Sequence, residues 1–582
     1  MDPNINHHDA YKLSKFFCWL LSIASFVLVA FGQPAWIPSF GLIASACGFA
    51  LFWRVLLSEH SGVKRFWTGT FWFFGVQLVQ LSWFISHPFL YIYSVYILAA
   101  FILGLQFGVL GFFIKPALLR NFVQPLGLSG LWTMLEWSRL FFLSGFSWNP
   151  IGLELTSSRH AMQLASLWGV FGLSFWVIFV NLLALKAWIA KTSRNQAFLY
   201  SLWIATAAFP YVYGALHIHF HEQKRLAFEQ KQSNPPLSAL LLQTAFPIEE
   251  LMDSTIQKNK FAYVLSQWQE ILRELKKYKD RPIDLIVFPE YVVPFGTYSF
   301  VFPVKSVLGS FADELGKESL KLLPSLQSPF SAVNKTQKGL ELLANNAFWI
   351  QGIANYFKAD VLIGLEDAED ISYDRREYYS GALLFHPLAK EMEDEFQVER
   401  YEKRVLVPMG EYIPFSFFKN LAASYGVFGA FTPGKEAKVM QCSGTPFSAS
   451  ICYEETFGDL MREGRKKGAK LFINMTSDIW FPNSRLINQH FDHARLRTVE
   501  NGVPLLRACN TGITAALDSL GKPIAVLGGD HPEEVEWIRD SLLVDVPTYT
   551  YSTLYSKVGD QLIIGLSLLF ILLSLVIKKS EF

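Results

Sequence analysis

The stretch SASICYEETF, residues 448–457, places a cysteine at the end of a short run of small and β-branched residues. An aromatic residue and two carboxylates, Tyr453, Glu454 and Glu455, follow Cys452 at once. A run this short and this apolar is typical of a strand that is buried on both faces. Cys452 therefore stands where a layered fold can present a side chain to a ligand, at the end of a buried strand.

Similar short apolar runs recur through the second half of the chain and alternate with amphipathic segments. The runs are ALLLQ at 239–243, IDLIVFPE at 283–290, DVLIGLED at 360–367, YYSGALLFHP at 378–387, PFSASICYE at 446–454, KLFINMTSD at 470–478 and PLLRACNTG at 504–512. Segments near 252–278, 339–357 and 489–501 supply helices to cover these strands. The pattern predicts a layered α/β sandwich.

The composition indicates that this globular part is attached to a membrane part. Charged residues make up 17% of the 582 residues, whereas 51% are hydrophobic and 16% aromatic. Soluble chains carry about 25% charged residues. The net charge is +1 and no basic stripe is interleaved with aromatic residues, so we expect no nucleic-acid partner.

Long apolar runs predict a bundle of about eight transmembrane helices, because a spanning helix needs about 20 such residues. The runs lie at 16–31, 36–56, 66–86, 88–114, 122–143, 161–186, 197–216 and 561–577. Lysine and arginine concentrate in alternate connections, so the positive-inside rule predicts cytoplasmic termini and an outer globular domain. The predicted domains are a transmembrane bundle of about seven helices at 1–219, an extracytoplasmic domain at 220–555, and a last transmembrane helix with a short cytoplasmic tail at 556–582.

Cysteine and histidine spacing gives little support for a metal site. The five cysteines, at positions 18, 47, 442, 452 and 509, form no pairs or regular spacing, so neither a disulfide framework nor a zinc site is expected. HIHFH at 217–221 would place alternate histidines on one face of an extended segment. That segment has no nearby cysteine and lies where the chain leaves the membrane, so we assign it no metal.

Three polar residues near the ends of predicted strands form a workable nucleophilic system. Glu290 ends DLIVFPE, Lys403 lies in VERYEKRVLVPMGEYIPF, and Cys452 ends FSASIC. The carboxylate can take the thiol proton, the ammonium can stabilise thiolate and oxyanion, and the sulfur can hold an acyl group as a thioester. Taken singly each residue is weak evidence, because a glutamate at a strand end is more often just solvated.

The same residues carry a resemblance to a known superfamily. FPE with Glu290, YEKRVLVPMGEYIP with Lys403 and ICYE with Cys452 resemble, in order and context, the Glu-Lys-Cys triad of the nitrilase superfamily. With the surrounding helices they look like the apolipoprotein N-acyltransferase family. LVPMGEYIP is similar to that family's Leu-Val-Pro-Phe-Gly-Glu motif, with Met409 in the Phe place, and NMTSDIWF, QHFDHARLRTVENGVPLLRACNTG and EWSRLFFLSGFSWNPIG also match it.

The resemblance implies a nitrilase-like α-β-β-α sandwich and roles for the matching residues. Glu290 resembles the family's general base, Lys403 its catalytic lysine and Cys452 its nucleophile. Glu411 matches a second glutamate that the family keeps near the lysine.

Two further residues match, and two depart from the family pattern. Tyr453 and Glu454 match the pair that the family places after the cysteine. In SDIWFP, Ser477 stands where an Asn is usual and Pro482 where a Gly is usual. These departures concern the rim of the site, while the triad is intact.

The implied activity is that of an acyltransferase of the bacterial inner membrane. A phospholipid acyl chain would move to Cys452 as a thioester, and the α-amine of a lipoprotein's diacylglyceryl-cysteine would then take it. The implied partners are the phospholipid donor, the diacylglyceryl-apolipoprotein acceptor and the bilayer. The triad implies no metal and no organic cofactor, and we expect a monomer.

Two other functions are consistent with the same residues. A membrane-tethered amidase would use the same triad to hydrolyse rather than transfer, and products formed with and without an amine acceptor would separate the two. A transporter with a soluble sensing domain would need intramembrane charges along a path. The apolar runs hold few charges, chiefly Glu136 with Arg139, which could simply pair one turn apart.

Two stretches of the globular part are too apolar for ordinary loops. They are YVVPFGTYSFVFPVKSVLGSF after Glu290 and FSFFKNLAASYGVFGAF after Glu411. Such stretches either fill the domain core or form mobile arms that dip into the outer leaflet and guide an acyl chain to the nucleophile. We expect arms, with Phe417, Phe418 and Phe428 as lipid-guiding residues.

Overall fold

The computed structural model describes residues 13–33, 36–115, 121–231, 236–248, 260–336, 339–372, 375–388, 396–415 and 431–580. These residues form two compact units. The helical unit contains the described residues of Met1–Lys231, Phe481–Gly502 and Tyr551–Phe582. The α/β unit contains those of Gln232–Trp480 and Val503–Thr550.

The helical unit has a helix at each of the apolar runs of the sequence. The helices are Lys15–Ala30, Pro38–Leu56, Gly62–Gln80, Tyr91–Phe113, Val123–Ser138, Ala165–Trp188, Ser193–Glu229 and Gln561–Ser580. Among the described residues, 4 helices are long and apolar enough to cross a membrane, namely Pro38–Leu56, Tyr91–Phe113, Ala165–Trp188 and Ser193–Glu229. Lys15–Ala30 and Gln561–Ile577 are apolar but shorter.

Local sequence signals start and bend these helices. Ser14 and Ser61 are N-caps, because each hydroxyl accepts the backbone N–H of the residue three positions on. Gly169 has a φ of +65°, and the ring of Tyr555 occupies the space that a Cβ would need there. Only glycine fits this bend without strain.

The pairing expected for Glu136 and Arg139 is confirmed. Arg139 Nη1 lies 4.0 Å from Glu136 Oε1, one helical turn away. Glu136 Oε1 also accepts the Ile151 N–H at 2.8 Å, and Arg139 Nε donates to Gln106 Oε1 at 2.7 Å. The two charges are thus held by each other and by local groups, which removes them as evidence for a transport path.

The expectation that HIHFH is extended is wrong, because 217–221 lies inside the helix Ser193–Glu229. His217 and His221 share a helix face, with ring centroids 4.5 Å apart. His221 stacks on Tyr551 at 3.7 Å. These histidines pack against aromatic neighbours.

The helix Leu486–Asn501 belongs to the helical unit, although the chain before and after it belongs to the α/β unit. Leu496 lies in the core of the helical unit, and Gln489 Nε2 donates to the carbonyl of Gln80 at 3.0 Å. Buried residues occur all around this helix, so no single apolar face marks its neighbours. The predicted globular range 220–555 therefore contains a segment that packs with the helices.

The described part of the α/β unit holds fifteen strands. They are β1 Leu237–Gln243, β2 Leu285–Val287, β3 Phe302–Pro303, β4 Ser331–Thr336, β5 Gly339–Ala344, β6 Asp360–Ser372, β7 Arg375–Phe385, β8 Glu399–Glu402, β9 Val439–Cys442, β10 Thr445–Ile451, β11 Leu471–Thr476, β12 Leu505–Cys509, β13 Ala515–Leu517, β14 Pro523–Val526 and β15 Asp540–Val546. These strands form two six-stranded sheets and a three-stranded one, ordered β15-β1-β2-β6-β7-β8, β14-β13-β12-β11-β10-β9 and β3-β5-β4. In the first sheet β1, β2 and β6 run parallel, and in the second β10, β11 and β12 do.

The two large sheets share one hydrophobic core. Leu241 and Val287 contribute from the first sheet, and Ile451, Met475 and Ala508 from the second. Each predicted strand run contains an observed strand. The predicted α/β sandwich is confirmed.

Helices cover the outer faces of these sheets. Lys260–Lys276 and Asn346–Phe357 lie on the first sheet, where Trp268 stacks on Trp349 with ring centroids 5.4 Å apart. Gly458–Lys466 packs on β10 of the second sheet. This layering leaves the carboxyl ends of the parallel strands as the place where side chains can meet a ligand.

The prediction of a mobile arm over 291–311 is wrong. Val293, Phe302, Val307 and Phe311 are fully buried in the core between the first sheet and its covering helices. Residues from Val304 to Leu315 form a helix whose apolar face supplies this packing. The alternative interpretation, that the stretch fills the domain's own core, is correct.

Candidate active site

The structure brings Glu290, Lys403 and Cys452 together. Each follows a strand of the α/β sandwich: Glu290 comes after β2, Lys403 after β8 and Cys452 after β10. Lys403 Nζ lies 3.5 Å from Glu290 Oε2, and the Cys452 thiol hydrogen-bonds the Glu290 carboxylate. A thiol, a carboxylate and an ammonium therefore share one site.

The backbone turns sharply at the nucleophile. Cys452 has a φ of +56°, in the left-handed region, directly after the extended Ile451. A non-glycine residue in that region is strained by about 1–3 kcal/mol, so surrounding contacts must hold it. Asn474 Nδ2 holds it by donating to the Cys452 carbonyl at 3.0 Å. The turn ends the buried strand, and Cys452 as a residue is partly exposed.

Glu454 is a buried carboxylate that ties the nucleophile's turn to the lysine's segment. Its Oε1 accepts the backbone N–H of Arg404 at 2.6 Å and of Val405 at 3.1 Å. Its Oε2 accepts the N–H of Ile451 at 2.8 Å and the hydroxyl of Tyr401 at 2.9 Å. The residues just before the cysteine and just after the lysine are thereby fixed to one side chain.

Glu411 and Tyr453 contact the segment that carries Lys403. Glu411 Oε1 accepts from Lys403 Nζ at 2.6 Å, and its Oε2 accepts the N–H of Val407 at 2.9 Å. The Tyr453 hydroxyl donates to the carbonyl of Leu406 at 3.3 Å. Both contacts hold the loop that follows the lysine.

Burial and charge set the protonation of the triad. Burial raises the pKa of the Cys452 thiol well above its ordinary 9.0, Glu290 adds to this, and Lys403 opposes it. Burial also raises the pKa of Glu290 above 4.5, against the pull of Lys403. Burial lowers the pKa of Lys403, but Glu411, Glu290 and Cys452 outweigh it and raise that pKa well above 10.5. The resting site therefore holds a thiol beside an ammonium and a basic carboxylate.

The other two cysteines of the α/β unit, Cys442 and Cys509, are less accessible than Cys452. Burial raises the pKa of Cys509 to about 12, and it also raises the pKa of Cys442. Both are fully buried. Neither can supply a thiolate readily.

Three site residues were missed by the sequence reasoning: Asn474, Asp478 and Arg507. Asn474 holds the nucleophile's turn, and Arg507 Nη2 lies 3.5 Å from Asp478 Oδ2. The available signal was a charged residue inside an apolar strand, PLLRAC, which needs a buried partner. Of the rim residues, Ser477 accepts from Asn510 Nδ2 at 3.2 Å.

Phe417, Phe418 and Phe428 lie outside the described residues. Among the residues that are described, no group of three or more His, Cys, Asp or Glu side chains is arranged to hold a metal ion.

Comparison with known proteins identifies the family. Residues 252–545 match the carbon-nitrogen hydrolase family model, and residues 24–183 match the model of the apolipoprotein N-acyltransferase N-terminal domain. The amidase of Nesterenkonia sp. AN1, a nitrilase-superfamily structure, is 17% identical to the chain, with a TM-score of 0.31 over 54% of this chain and 92% of that one.

Curated relatives match over nearly the whole length. The apolipoprotein N-acyltransferase of Chlamydia pneumoniae is 32% identical over 567 residues, which cover 94% of each chain. Those of Chlamydia caviae and Geobacter metallireducens are 31% and 26% identical, over 96% and 86% of this chain and 96% and 85% of theirs. The chain therefore belongs to the apolipoprotein N-acyltransferase family.

Proposed function

We propose that this enzyme moves an acyl chain from a phospholipid to Cys452 and then to the α-amine of the N-terminal diacylglyceryl-cysteine of an apolipoprotein. The observation that supports this most is the meeting of Glu290, Lys403 and the partly exposed residue Cys452 in one site. Such an arrangement suits acyl transfer through a thioester.

In the first half-reaction the thiol attacks the ester carbonyl of the phospholipid. Glu290 accepts the proton of Cys452 as the C–S bond forms, and Lys403 stabilises the negative charge on the carbonyl oxygen. The C–O ester bond then breaks, and Glu290 returns the proton to the departing lysophospholipid hydroxyl. The thioester remains on Cys452.

In the second half-reaction the neutral amine of the acceptor attacks the thioester. Glu290 accepts a proton from the nitrogen as the C–N bond forms, and Lys403 again stabilises the oxyanion. The C–S bond breaks, and Glu290 returns the proton to Cys452. The products are an N-acylated lipoprotein and the free enzyme, without a metal or organic cofactor.

Both substrates reside in a bilayer, and the helices supply the anchor. We propose about eight membrane spans, with both termini cytoplasmic and the α/β unit on the periplasmic side of a bacterial inner membrane. The 4 helices that are long and apolar enough to cross a membrane support the anchor, and the lysine and arginine distribution supports the orientation. The arm residues Phe417, Phe418 and Phe428 are proposed to guide the acyl chain, and the active species is proposed to be a monomer.

Mass spectrometry of the purified enzyme tests the proposal. After incubation with phospholipid, the peptide that contains Cys452 should carry an acyl mass that hydroxylamine removes. Addition of a diacylglyceryl-cysteine peptide should clear that mass and yield an amide. Release of free fatty acid instead of amide would favour the amidase alternative, and absence of acyl mass would contradict the thioester.

A further inference from the structure

Arg507 is a fully buried guanidinium in the middle of the second sheet. It lies on β12, where its Nε donates to Glu455 Oε1 at 2.8 Å and its Nη1 to the carbonyl of Ile513 at 3.1 Å. Its Nη2 lies 3.5 Å from Asp478 Oδ2. Two carboxylates thus surround one cation, which a buried guanidinium requires if its desolvation is to be offset.

This cluster is tied to the segment that begins at Cys452. Strands β10, β11 and β12 are parallel neighbours. Cys452 directly follows β10, Asp478 lies two residues beyond the end of β11, and Arg507 is the middle residue of β12. Glu455 belongs to the short helix Cys452–Thr456, which the nucleophile begins. The guanidinium therefore holds the nucleophile's own helix and the turn beside it.

The position of Asp478 is fixed from the other side by a glycine loop. Asp478 N donates to the carbonyl of Thr511 at 3.1 Å. Gly512 has a φ of +122°, and a Cβ at that residue would stand 2.7 Å from Asp478 Oδ2. No side chain fits there, so the carboxylate is packed against backbone and keeps its place relative to Arg507.

Asp478 pairs with Arg507, and its charge also acts on Cys452 and Glu290. Burial is the main cause that raises the pKa of Cys452 and of Glu290, and the negative charge of Asp478 adds to both shifts. The charged and titratable groups that act on this pair are Lys403, Glu411 and Asp478. Those that act on Arg507 are Cys509, Glu455 and Asp478, and Glu536 also faces Asp478.

We infer that Arg507 is a positioning residue for acyl transfer: it holds Glu455 and Asp478, and it offsets the negative charge that Asp478 presents to the nucleophile. The inference rests on the proposed function for its role in acyl transfer. The charge effect itself concerns only the thiol and can be measured without a lipid.

Two single variants should change the ease of thiolate formation at Cys452 in opposite directions. Loss of a purely structural ion pair would not produce opposite directions. Asp478→Asn keeps the shape and removes the negative charge, so thiolate formation at Cys452 becomes easier. Arg507→Gln removes the positive charge that pairs with Asp478, so thiolate formation becomes harder. Asp478→Asn should therefore lower the pKa of Cys452 and Arg507→Gln should raise it.

The experiment measures the alkylation rate of Cys452 by iodoacetamide at pH 8, read by mass spectrometry of the Cys452 peptide. We expect about a tenfold faster rate in Asp478→Asn and about a tenfold slower rate in Arg507→Gln. Arg507→Lys and the double variant Arg507→Gln/Asp478→Asn should both react close to the wild-type rate. Glu318→Gln, an exposed acid paired with Lys321, is the control and should change nothing.

Rates that are unchanged within twofold, or that move in the same direction in both single variants, would overturn the inference. If Arg507→Gln does not insert into the membrane, the test rests on Asp478→Asn. An alkylation rate of Cys452 that is not faster in Asp478→Asn than in wild type would then contradict the inference. The acylation rate with phospholipid is measured in parallel over pH. The variants could show the expected alkylation rates while the wild type accepts no acyl chain. That result would contradict the proposed function but would still support the charge effect.

Discussion

Lys403 donates a hydrogen bond of 2.6 Å to Glu411, which is shorter than the 3.5 Å that separates the same ammonium from Glu290. The lysine is thus anchored by Glu411, whose other carboxylate oxygen accepts the backbone N–H of Val407. Glu290, which hydrogen-bonds the thiol, stays available to take its proton. The same ammonium therefore contacts one carboxylate that anchors it and a second carboxylate that is proposed to accept the thiol proton.

Cys452→Ser should abolish both turnover and the hydroxylamine-sensitive adduct, because no other cysteine of the α/β unit is both exposed and beside a base. The measurement is labelling with a radioactive or alkyne phospholipid, followed by peptide mapping. Cys442→Ser is the matched control and should keep full labelling. Adduct that persists in Cys452→Ser, or maps to Cys442 or Cys509, would contradict the assignment.

Glu290→Gln and Lys403→Ala should each slow thioester formation by a factor on the order of 10²–10⁴, the scale for loss of a positioned acid-base group. Single-turnover acylation with labelled phospholipid gives this rate, and membrane insertion is checked by fractionation. A normal acylation rate in a correctly inserted variant would show that the residue has no catalytic role.

The pH dependence of acylation should follow Glu290. Burial raises the pKa of Glu290 above its ordinary 4.5, and the group must be ionised to accept the thiol proton. The acylation rate should therefore fall as pH decreases through a value above 4.5. Lys403→Ala removes the cation that lowers this pKa, so the residual activity should fall off at a higher pH than in wild type. A half-point at or below 4.5 in the wild type would contradict this account.

Glu454→Gln should destabilise the α/β unit by about 1–3 kcal/mol, because an amide leaves part of a set of buried N–H donors without an acceptor. The same change should slow acylation, since Glu454 links the segments that carry Lys403 and Cys452. The measurements are the melting temperature in detergent and the single-turnover rate. Glu436→Gln, an exposed acid, is the control, and equal stability in the two variants would show that the contacts of Glu454 contribute nothing.

Replacement of Phe417, Phe418 and Phe428 by Ser tests the proposed arm. Loss of acylation with a bilayer phospholipid, together with retained acylation by a short-chain soluble ester, is the result expected of a lipid-guiding segment. Equal loss with both donors and a lowered melting temperature would show that these residues belong to the core.

The sequence by itself determined seven strand runs and the apolar helices, and it predicted Glu290, Lys403 and Cys452 as the triad through the family resemblance. Those features are local: a buried strand is a short apolar run, and a reactive side chain at its end is visible in the same stretch. FPE, YEKR and ICYE needed no knowledge of distant contacts to be found. The strand prediction held for every run because burial on both faces leaves a strong local signal.

Only the tertiary structure decided which distant groups hold the site and which segments pack where. Glu454 accepts the N–H of Arg404, and Arg507 donates to Glu455, across about fifty positions of sequence. The stretch 291–311 proved to be core, and Leu486–Asn501 proved to pack with the helical unit. The sequence shows that a buried polar or apolar side chain needs a partner, but it does not show which residue that partner is. Hydrogen bonds and packing contacts form between residues that are distant in sequence and become neighbours only in the folded chain.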